Sequence, residues 1–255
     1  MFVAIDGLDG SGKESLTKAL MPMLSKAFEE PTDIYLHSFP DYEISSGRKI
    51  REFLHDKEAM NKIPPNLRPY MIGMMFAYNR AEHFSDWQQR NEKSLYMTPY
   101  ARTIHVFDRY WASNILYQCV GMDMPNVAKY MKMFLDIEKN FGNPIPDLYL
   151  FLRHPYSVLQ RRIAKRNDND VYEEDGYQKA VYWFSERLLD EMQTDRIRSE
   201  SMFSFTYDKI IDGSTKMNAR LVSPYNELTV AELCDKVMTE IYQWYDRIGT
   251  ASKSF

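Results

Sequence analysis

The chain has 255 residues, 44% of them hydrophobic and 27% charged, and its formal net charge at pH 7 is −4. These values predict a globular protein with a substantial core, and they give no support for non-specific nucleic-acid binding. The two cysteines, Cys119 and Cys234, are too few and too far apart for a disulfide framework. With no apolar stretch of membrane-spanning length and no basic signal-peptide region, we expect a cytoplasmic protein without a membrane partner.

The first predicted element is a short strand that leads into a glycine-rich loop. Phe2–Ile5 form a β-branched apolar run, and Gly7, Gly12 and Lys13 then meet the spacing G-x-x-x-x-G-K. Such a loop aims backbone N–H groups at a phosphate, the lysine adds a point charge, and the helix predicted from Lys13 points its N-terminus at the same anion. A chance glycine turn is the alternative, but strand, turn and helix occur in the required order. The predicted phosphate-binding residues, within a loop over 7–15, are Gly7, Gly10, Ser11, Gly12, Lys13, Glu14 and Ser15.

The residue after Lys13 departs from this motif. Glu14 stands where a serine or threonine usually contacts magnesium, and Ser15 follows one place later. Because consecutive helical side chains point in different directions, Ser15 cannot simply replace a hydroxyl at position 14. The motif therefore predicts a phosphate site and leaves the magnesium geometry open.

Apolar β-rich runs recur along the chain and alternate with helical patterns. The runs are Phe2–Ile5, Ile34–Phe39, Thr103–Phe107, Leu148–Leu152 and Tyr207–Ile211. This alternation predicts a three-layer α/β fold, with a mostly parallel sheet of about five strands and helices on both faces. No repeat or linker interrupts the chain, so we expect a single domain over residues 1–255.

Two helices carry local signals. Pro22 lies inside the first helical pattern and is expected to kink or shorten that helix. Thr229 is a predicted N-cap, with Glu232 three residues later, for a final helix that ends near Ile248. Before this helix, residues 212–227 form a turn-rich stretch that we interpret as a loop near the nucleotide.

An acidic residue follows the third predicted strand. Asp108, Arg109 and Tyr110 come directly after Thr103–Phe107. At the carboxyl end of a parallel strand, beside a glycine loop, the acid can help hold magnesium and the arginine can neutralise a phosphate. A solvent-facing salt pair is the alternative interpretation.

Two further segments have a possible binding function. Phe76 and Arg80 share one helix face, with Asn79 close by, so the ring could stack on a base while the guanidinium binds an anion. A core phenylalanine beside a surface arginine fits the pattern equally well. Arg162 and Arg166 share a face of a basic helix end that leads into a polar stretch, which suits either a phosphate-covering lid over about 162–176 or a solvated charge run.

Taken together, these segments resemble the thymidylate kinase family of P-loop nucleoside monophosphate kinases, over most of the chain and in family order. The matching segments are I-D-G-L-D-G-S-G-K at 5–13, F-P-D-Y at 39–42, F-A-Y-N-R-A-E at 76–82, F-D-R-Y-W-A-S-N at 107–114, P-D-L-Y-L-F-L at 146–152 and the lid at 162–173. The resemblance implies a P-loop NTPase fold, a homodimer, and ATP- and magnesium-dependent phosphorylation of dTMP to dTDP for dTTP biosynthesis. Nucleotides would be the partners.

The resemblance also implies roles for individual residues. ATP phosphates would be held by Lys13 and the loop, Asp9 and Asp108 would organise magnesium, and Asp9 would also lie near the acceptor's 3′-hydroxyl. The implied catalytic residues are Lys13, Asp108, Arg109, Arg162 and Arg166. The implied acceptor residues are Asp9, Phe39, Tyr42, Phe76 (stacking on thymine), Asn79, Arg80 and Arg109 (phosphate), Tyr110 and Asn114 (pyrimidine edge).

Three departures from the family pattern accompany Glu14. Tyr42 stands where many members have arginine, Val171 interrupts the lid pattern, and Gly10 offers no loop arginine. A side chain that neutralises transition-state charge would then be Arg162 or Arg166. Two alternatives stay open: a kinase for another deoxynucleoside monophosphate or a nucleoside, and a non-catalytic nucleotide-binding protein on the same fold.

Overall fold

Strands and helices alternate along the chain in the computed structural model, which describes residues 1–28, 32–91, 102–165, 175–193, 209–212 and 229–251. The strands are β1 (Phe2–Gly7), β2 (Thr32–Ser38), β3 (Arg102–Asp108), β4 (Leu148–Arg153) and β5 (Lys209–Asp212). The helices are α1 (Lys13–Ala27), α2 (Ser45–His55), α3 (Lys57–Lys62), α4 (Arg68–Asn91), α5 (Trp111–Gln118), α6 (Met124–Asn140), α7 (Tyr156–Ile163), α8 (Asp175–Gln193) and α9 (Val230–Ala251). Within these ranges, none of the helices combines the length and apolar character needed to cross a bilayer.

The five strands form one parallel sheet in the order β2-β3-β1-β4-β5. The predicted parallel sheet is confirmed, and its strand bounds differ from the predicted ones by one or two residues, apart from 207–208, which lie outside the described residues. Because β1 is central, the chain leaves it first toward β3 and β2 and later toward β4. The loops after β1 and β3 therefore open side by side at the carboxyl edge of the sheet, where ligands bind in open α/β folds.

Apolar side chains of the strands alternate between two cores, which confirms the prediction of helices on both faces. Val3 and Ile5 point toward one face, where they pack with buried residues of α1 and α9. Ala4 and Phe107 point toward the other, where α4, α5, α6 and α8 contribute the buried partners. Burial of each large aliphatic side chain contributes about 1.5–3 kcal/mol, so these two layers hold the sheet edge that carries the glycine loop.

Two local helix predictions have different outcomes. Helix α1 continues past Pro22 to Ala27, so the expectation that Pro22 shortens it is wrong. Pro22 is exposed, while Leu16, Leu20 and Leu24 are fully buried on the opposite side, and their packing outweighs the lost backbone hydrogen bond.

The predicted cap of the final helix is confirmed. The backbone N–H of Thr229 donates to Glu232 at 2.7 Å, and the Thr229 hydroxyl accepts from the backbone N–H of Glu232 at 3.3 Å. This reciprocal capping box starts α9 one residue later. Of the loop predicted over 212–227, all but Asp212 lies outside the described residues.

Candidate active site

A cavity of about 280 Å³ opens at the carboxyl edge of the sheet. Its walls come from the loop after β1, the first turns of α1, the segment after β2 and the end of β3. The residues predicted from sequence that line it are Gly10, Gly12, Lys13, Glu14, Phe39, Tyr42, Asp108 and Arg109. The fold thus brings the predicted phosphate loop, the acidic strand end and part of the predicted acceptor segment to one cavity.

The glycine loop requires glycine at two of its turns. Gly10 and Gly12 have φ angles of 77° and 88°, in the left-handed region that side chains disfavour. A Cβ atom on Gly10 would also lie 2.8 Å from the backbone oxygen of Leu159, because α7 packs directly against the loop. Arg162, also on α7, donates from Nη1 to the backbone oxygen of Gly10 at 3.1 Å. This predicted lid arginine therefore touches the phosphate loop.

Lys13 lies buried inside the loop. Its Nζ donates to the backbone oxygens of Gly7 at 2.7 Å and Leu8 at 2.9 Å, and to the hydroxyl of Ser11 at 3.3 Å. Burial, followed by the positive charge of Arg109, lowers the pKa of Lys13 to about 7. An anion that entered the cavity would favour the ammonium form, so phosphate binding and protonation of Lys13 are expected to be coupled.

The N-terminus of α1 faces the same space. Gly12 is its N-cap, and among the described residues no side chain accepts a hydrogen bond there. The first N–H groups of a helix have no partner within the helix and carry a partial positive charge. The loop and α1 together thus present the donors that a phosphate chain requires.

Asp9, which is buried, pairs with the half-buried Arg109 beside the loop. The guanidinium of Arg109 donates to the Asp9 carboxylate, which also accepts from the Tyr117 hydroxyl at 2.8 Å and from Gln178 Nε2 at 3.0 Å. Burial alone would raise the pKa of Asp9, but Arg109, Lys13 and the Tyr117 hydrogen bond hold it well below its usual range. Asp9 is therefore ionised, and the sequence prediction missed its partners Tyr117 and Gln178, which come from α5 and α8.

Asp108 lies at the edge of the cavity with its side chain largely buried. Burial raises the pKa of its carboxyl, and the charges of Lys13 and Arg109 oppose that rise. Within the described residues, no group of three or more histidine, cysteine or acidic side chains is placed to bind a metal by itself. Magnesium needs only one or two carboxylates when substrate phosphates complete its shell, so Asp108 fits that ion.

Glu14 and Ser15 are both exposed, and Glu14, which lines the cavity, pairs with Lys18 of the same lining at 2.6 Å. Ser15 is not part of the lining, whereas Thr17, four residues after Lys13, lines the cavity; the Thr17 hydroxyl donates to the backbone oxygen of Glu14 at 3.1 Å. Sequence reasoning missed Thr17, although its i, i+4 spacing from Lys13 places both on one helix face. Of the hydroxyl side chains of Ser15 and Thr17, only that of Thr17 belongs to a residue that lines the cavity.

The segment after β2 forms another wall of the cavity. Phe39 packs into the aromatic core, and Tyr42 lies under the guanidinium of Arg51, 4.6 Å from its ring centre. Phe76 is half-buried and packs against the cluster between α2 and α4. Asn79 holds the backbone of Asp41 from both sides, accepting at 2.8 Å and donating at 3.0 Å.

Three further predicted acceptor residues are, like Asp9 and Asn79, buried and bonded outside the cavity lining. Arg80 forms a bidentate pair with Glu138, with 3.1 Å between Nε and Oε2. The hydroxyl of Tyr110 donates to the backbone oxygen of Pro144 at 2.8 Å, and Asn114 donates to that of Gly73 at 3.3 Å. The remaining predicted residue, Arg166, lies outside the described residues, as does most of the predicted lid.

A chain of buried histidines supports the wall at Asp41. Nδ1 of His37 lies 2.8 Å from Nε2 of His83, and Nε2 of His37 lies 3.0 Å from Nδ1 of His105. His83 continues the chain, since its Nδ1 lies 2.7 Å from an Asp41 carboxylate oxygen. Burial is the main cause that lowers the pKa of all three histidines, that of His105 to about 4, so they are neutral at pH 7.

Comparison with known proteins shows the family to which the chain is similar. Residues 5–200 match the family described as thymidylate kinase. A relative named "Probable thymidylate kinase", from Methanococcus vannielii, is 27% identical over 181 residues, which cover 71% of this chain and 73% of the relative. The solved structure of thymidylate kinase from Candida albicans matches with a TM-score of 0.56 and 20% identity, covering 95% of this chain and 91% of the other, and supports the fold. Since the family match spans most of the chain, including the loop, both aspartates and Arg109, the protein belongs to the thymidylate kinase family of nucleoside monophosphate kinases.

Proposed function

We propose that the protein transfers the terminal phosphoryl group of ATP to dTMP, giving dTDP and ADP, with Mg²⁺ as the metal. The observation that carries the proposal is the meeting of Lys13, Asp108 and Arg109 at one cavity in a chain that belongs to the thymidylate kinase family. Phosphoryl transfer needs positioning and neutralisation of charge rather than a covalent nucleophile. One buried ammonium, one guanidinium and a carboxylate that can hold magnesium provide these functions.

On the donor side, Lys13 and the first N–H groups of α1 would hold the ATP phosphates. Their donors converge on the cavity, and the low dielectric around Lys13 strengthens its attraction for an anion. Arg162, which already contacts the loop at Gly10, would close on the same phosphates. Magnesium, held by Asp108 with Asp9 nearby, would neutralise charge on the phosphate oxygens.

On the acceptor side, Phe39, Tyr42 and Arg109 line the cavity and support the proposed acceptor site. Arg109 would bind the acceptor phosphate, and its partner Asp9 would lie near the sugar. For Arg80 to reach that phosphate, its buried pair with Glu138 would have to open, at a cost of several kcal/mol. We therefore assign the main phosphate contact to Arg109. The stacking role of Phe76 and the base contact of Asn114 remain predictions.

A coupled ADP-release assay tests the proposal. Purified protein is given ATP and Mg²⁺ with dTMP, dUMP, dCMP, dGMP or thymidine in turn, and turnover is expected to be fastest with dTMP. Several acceptors are needed because the Candida albicans structure is described as revealing the origin of broad substrate specificity. A strong preference for another acceptor would refute the dTMP assignment. ATP binding without transfer to any acceptor would instead support a non-catalytic nucleotide-binding protein.

The variant Lys13→Ala tests whether the glycine loop holds the reacting phosphates. Removing one buried charge that stabilises the transferring group should lower kcat about 10²–10³-fold. Lys26→Ala changes an exposed lysine near the end of the same helix and should leave kcat unchanged. Equal activity of Lys13→Ala and wild type would show that the loop does not hold the reacting phosphates.

We also propose a homodimer, as the family resemblance implies. Helix α4 and the residue before it expose an apolar stripe at positions spaced by three and four residues, namely Leu67, Met71, Met74 and Tyr78. Such a stripe fits a helix face that packs against a second copy. Sedimentation at micromolar concentration should give a molar mass of two chains for the wild type and of one chain for Met71→Lys. A monomeric wild type would refute the dimer.

A further inference from the structure

Asp6 is a fully buried carboxylate that none of the proposed binding steps uses. It lies on β1 next to Gly7, the first residue of the glycine loop. Its carboxylate accepts three hydrogen bonds: from the backbone N–H of Tyr110 at 3.1 Å, from the hydroxyl of Tyr149 at 2.7 Å and from the hydroxyl of Ser113. A buried carboxylate requires such partners, and here they come from the two strand regions that flank β1.

These hydrogen bonds cap helix α5 from a different part of the chain. Tyr110 is the N-cap of α5, and no described side chain makes the usual cap hydrogen bond there. The backbone N–H of Ala112, in the first turn, donates instead to the Tyr149 hydroxyl at 3.0 Å, and that hydroxyl donates to Asp6. Asp6 thus accepts a hydrogen bond from the N-cap N–H of α5 directly, and it orients the Tyr149 hydroxyl that accepts from the Ala112 N–H. Its negative charge also lies at the positive end of the helix dipole.

The turn that this cap holds carries Asp108 and Arg109. Arg109 has a φ of 64°, a left-handed conformation that side chains disfavour and that persists only when the surroundings impose it. Its backbone N–H donates to the backbone oxygen of Ile5 at 3.0 Å, and the next N–H, of Tyr110, donates to Asp6. Two consecutive residues of β1 therefore clamp the turn. In this conformation the Arg109 guanidinium reaches Asp9.

We propose that Asp6, with Tyr149 and Ser113, is a positioning group for the reaction. It holds the turn between β3 and α5 so that Asp108 and Arg109 face the acceptor phosphate and the metal. This inference rests on the proposed function. It assigns Asp6 no contact with the nucleotide, so the main effect of Asp6 passes through the turn that carries Arg109 and Asp108. The charge of Asp6 also acts on the pKa of Lys13, but less than burial and three other charges do.

Asp6→Asn and Tyr149→Phe test the inference, because both keep the volume of the side chain. Asparagine has one acceptor oxygen where aspartate has two, and it carries no negative charge. It therefore cannot accept from the Tyr110 N–H and from both the Tyr149 and Ser113 hydroxyls, and its hold on the turn weakens. Displacement of a positioning group by about 1 Å can cost about 10²-fold, and we expect kcat/KM for dTMP to fall by about 10–100-fold in Asp6→Asn. Tyr149→Phe should change it in the same direction by less. ATP affinity, measured with a fluorescent analogue, should change little, because the loop donors and Lys13 stay in place.

A double-mutant cycle with Arg109→Lys separates positioning from a general effect on folding. If Asp6 acts through Arg109, adding Asp6→Asn to Arg109→Lys should cost much less than it costs in the wild type. Multiplicative losses would overturn the inference. Tyr130→Phe is the control: its hydroxyl bonds to the backbone oxygen of Pro69, and its activity should match wild type.

Each outcome decides between the two proposals. A wild type that binds ATP but transfers no phosphoryl group refutes the proposed function, whereas an active wild type with kcat/KM unchanged in Asp6→Asn and Tyr149→Phe refutes the role of Asp6. Should Asp6→Asn fail to fold, the cycle of Tyr149→Phe with Arg109→Lys takes its place, since it leaves the carboxylate and its Tyr110 contact intact. Losses that multiply in that cycle would refute the role of Asp6, and losses that overlap would support it.

Discussion

Neutralising Glu138 is expected to destabilise the protein strongly. The side chains of Arg80 and Glu138 are each only 3% exposed, and Glu138 also accepts from Asn143 Nδ2 at 2.6 Å. Glu138→Gln keeps the shape of the side chain but leaves the Arg80 guanidinium without a counter-charge in the interior. Loss of one partner of a buried pair costs about 3–5 kcal/mol in free energy of unfolding.

Urea unfolding followed by circular dichroism measures this change. With a slope near 3 kcal/mol/M, the expected loss lowers the urea midpoint by about 1–2 M. Glu58→Gln is the control, because Glu58 pairs with Lys62 on the surface at 3.0 Å and exposed pairs contribute little. If Glu138→Gln shifted the midpoint no more than Glu58→Gln, Arg80 would not depend on Glu138. Arg80 would then be available for the acceptor phosphate after all.

Two further predictions concern the loop and the histidines. Gly10→Ala should destabilise the fold and weaken ATP binding more than Gly121→Ala does. Both glycines have a positive φ, but only at Gly10 would the new methyl group lie 2.8 Å from a backbone oxygen, that of Leu159. Equal effects of the two substitutions in thermal unfolding and ATP titration would contradict the close packing of α7. The free energy of unfolding should fall as the pH drops from about 6.5 toward 4. His105 takes up a proton near pH 6.5 in the unfolded chain, but burial lowers its pKa to about 4 in the folded protein. The difference in the pKa of this histidine alone lowers the free energy of unfolding by about 3 kcal/mol over that range. Urea midpoints of wild type and His105→Gln across that range measure the effect, and identical pH profiles would contradict it.

The sheet and the phosphate loop could be predicted because their signals are local. A β-branched run such as Phe2–Ile5, followed by glycines at fixed spacing, specifies a strand and a turn within a dozen residues. Asp108 and Arg109 could be placed at the cavity because the carboxyl ends of parallel strands share one edge. These predictions needed only the pattern of the chain.

The partners of charged groups could not be predicted in this way. The i, i+4 spacing of Phe76 and Arg80 places them on one helix face but does not say what that face meets; Glu138, the partner of Arg80, lies 58 residues further on. Pro22 shows the same limit, because local propensity predicts a helix end and tertiary packing keeps the helix intact. The place of Thr17 at the cavity could be predicted from helical geometry, because Thr17 lies four residues after Lys13 on the same face of α1.

The histidine chain behind the cavity wall has a fixed direction. The carboxylate of Asp41 can only accept, so the hydrogen of His83 must be on Nδ1, and its Nε2 must then accept from Nδ1 of His37. By the same rule, Nε2 of His37 accepts from Nδ1 of His105. One carboxylate after β2 therefore determines the tautomer of an imidazole on β3. An amide at position 41, which can donate as well as accept, would remove that constraint. A side chain between two lining residues of the cavity, Pro40 and Tyr42, therefore determines where hydrogens lie in the interior of the sheet.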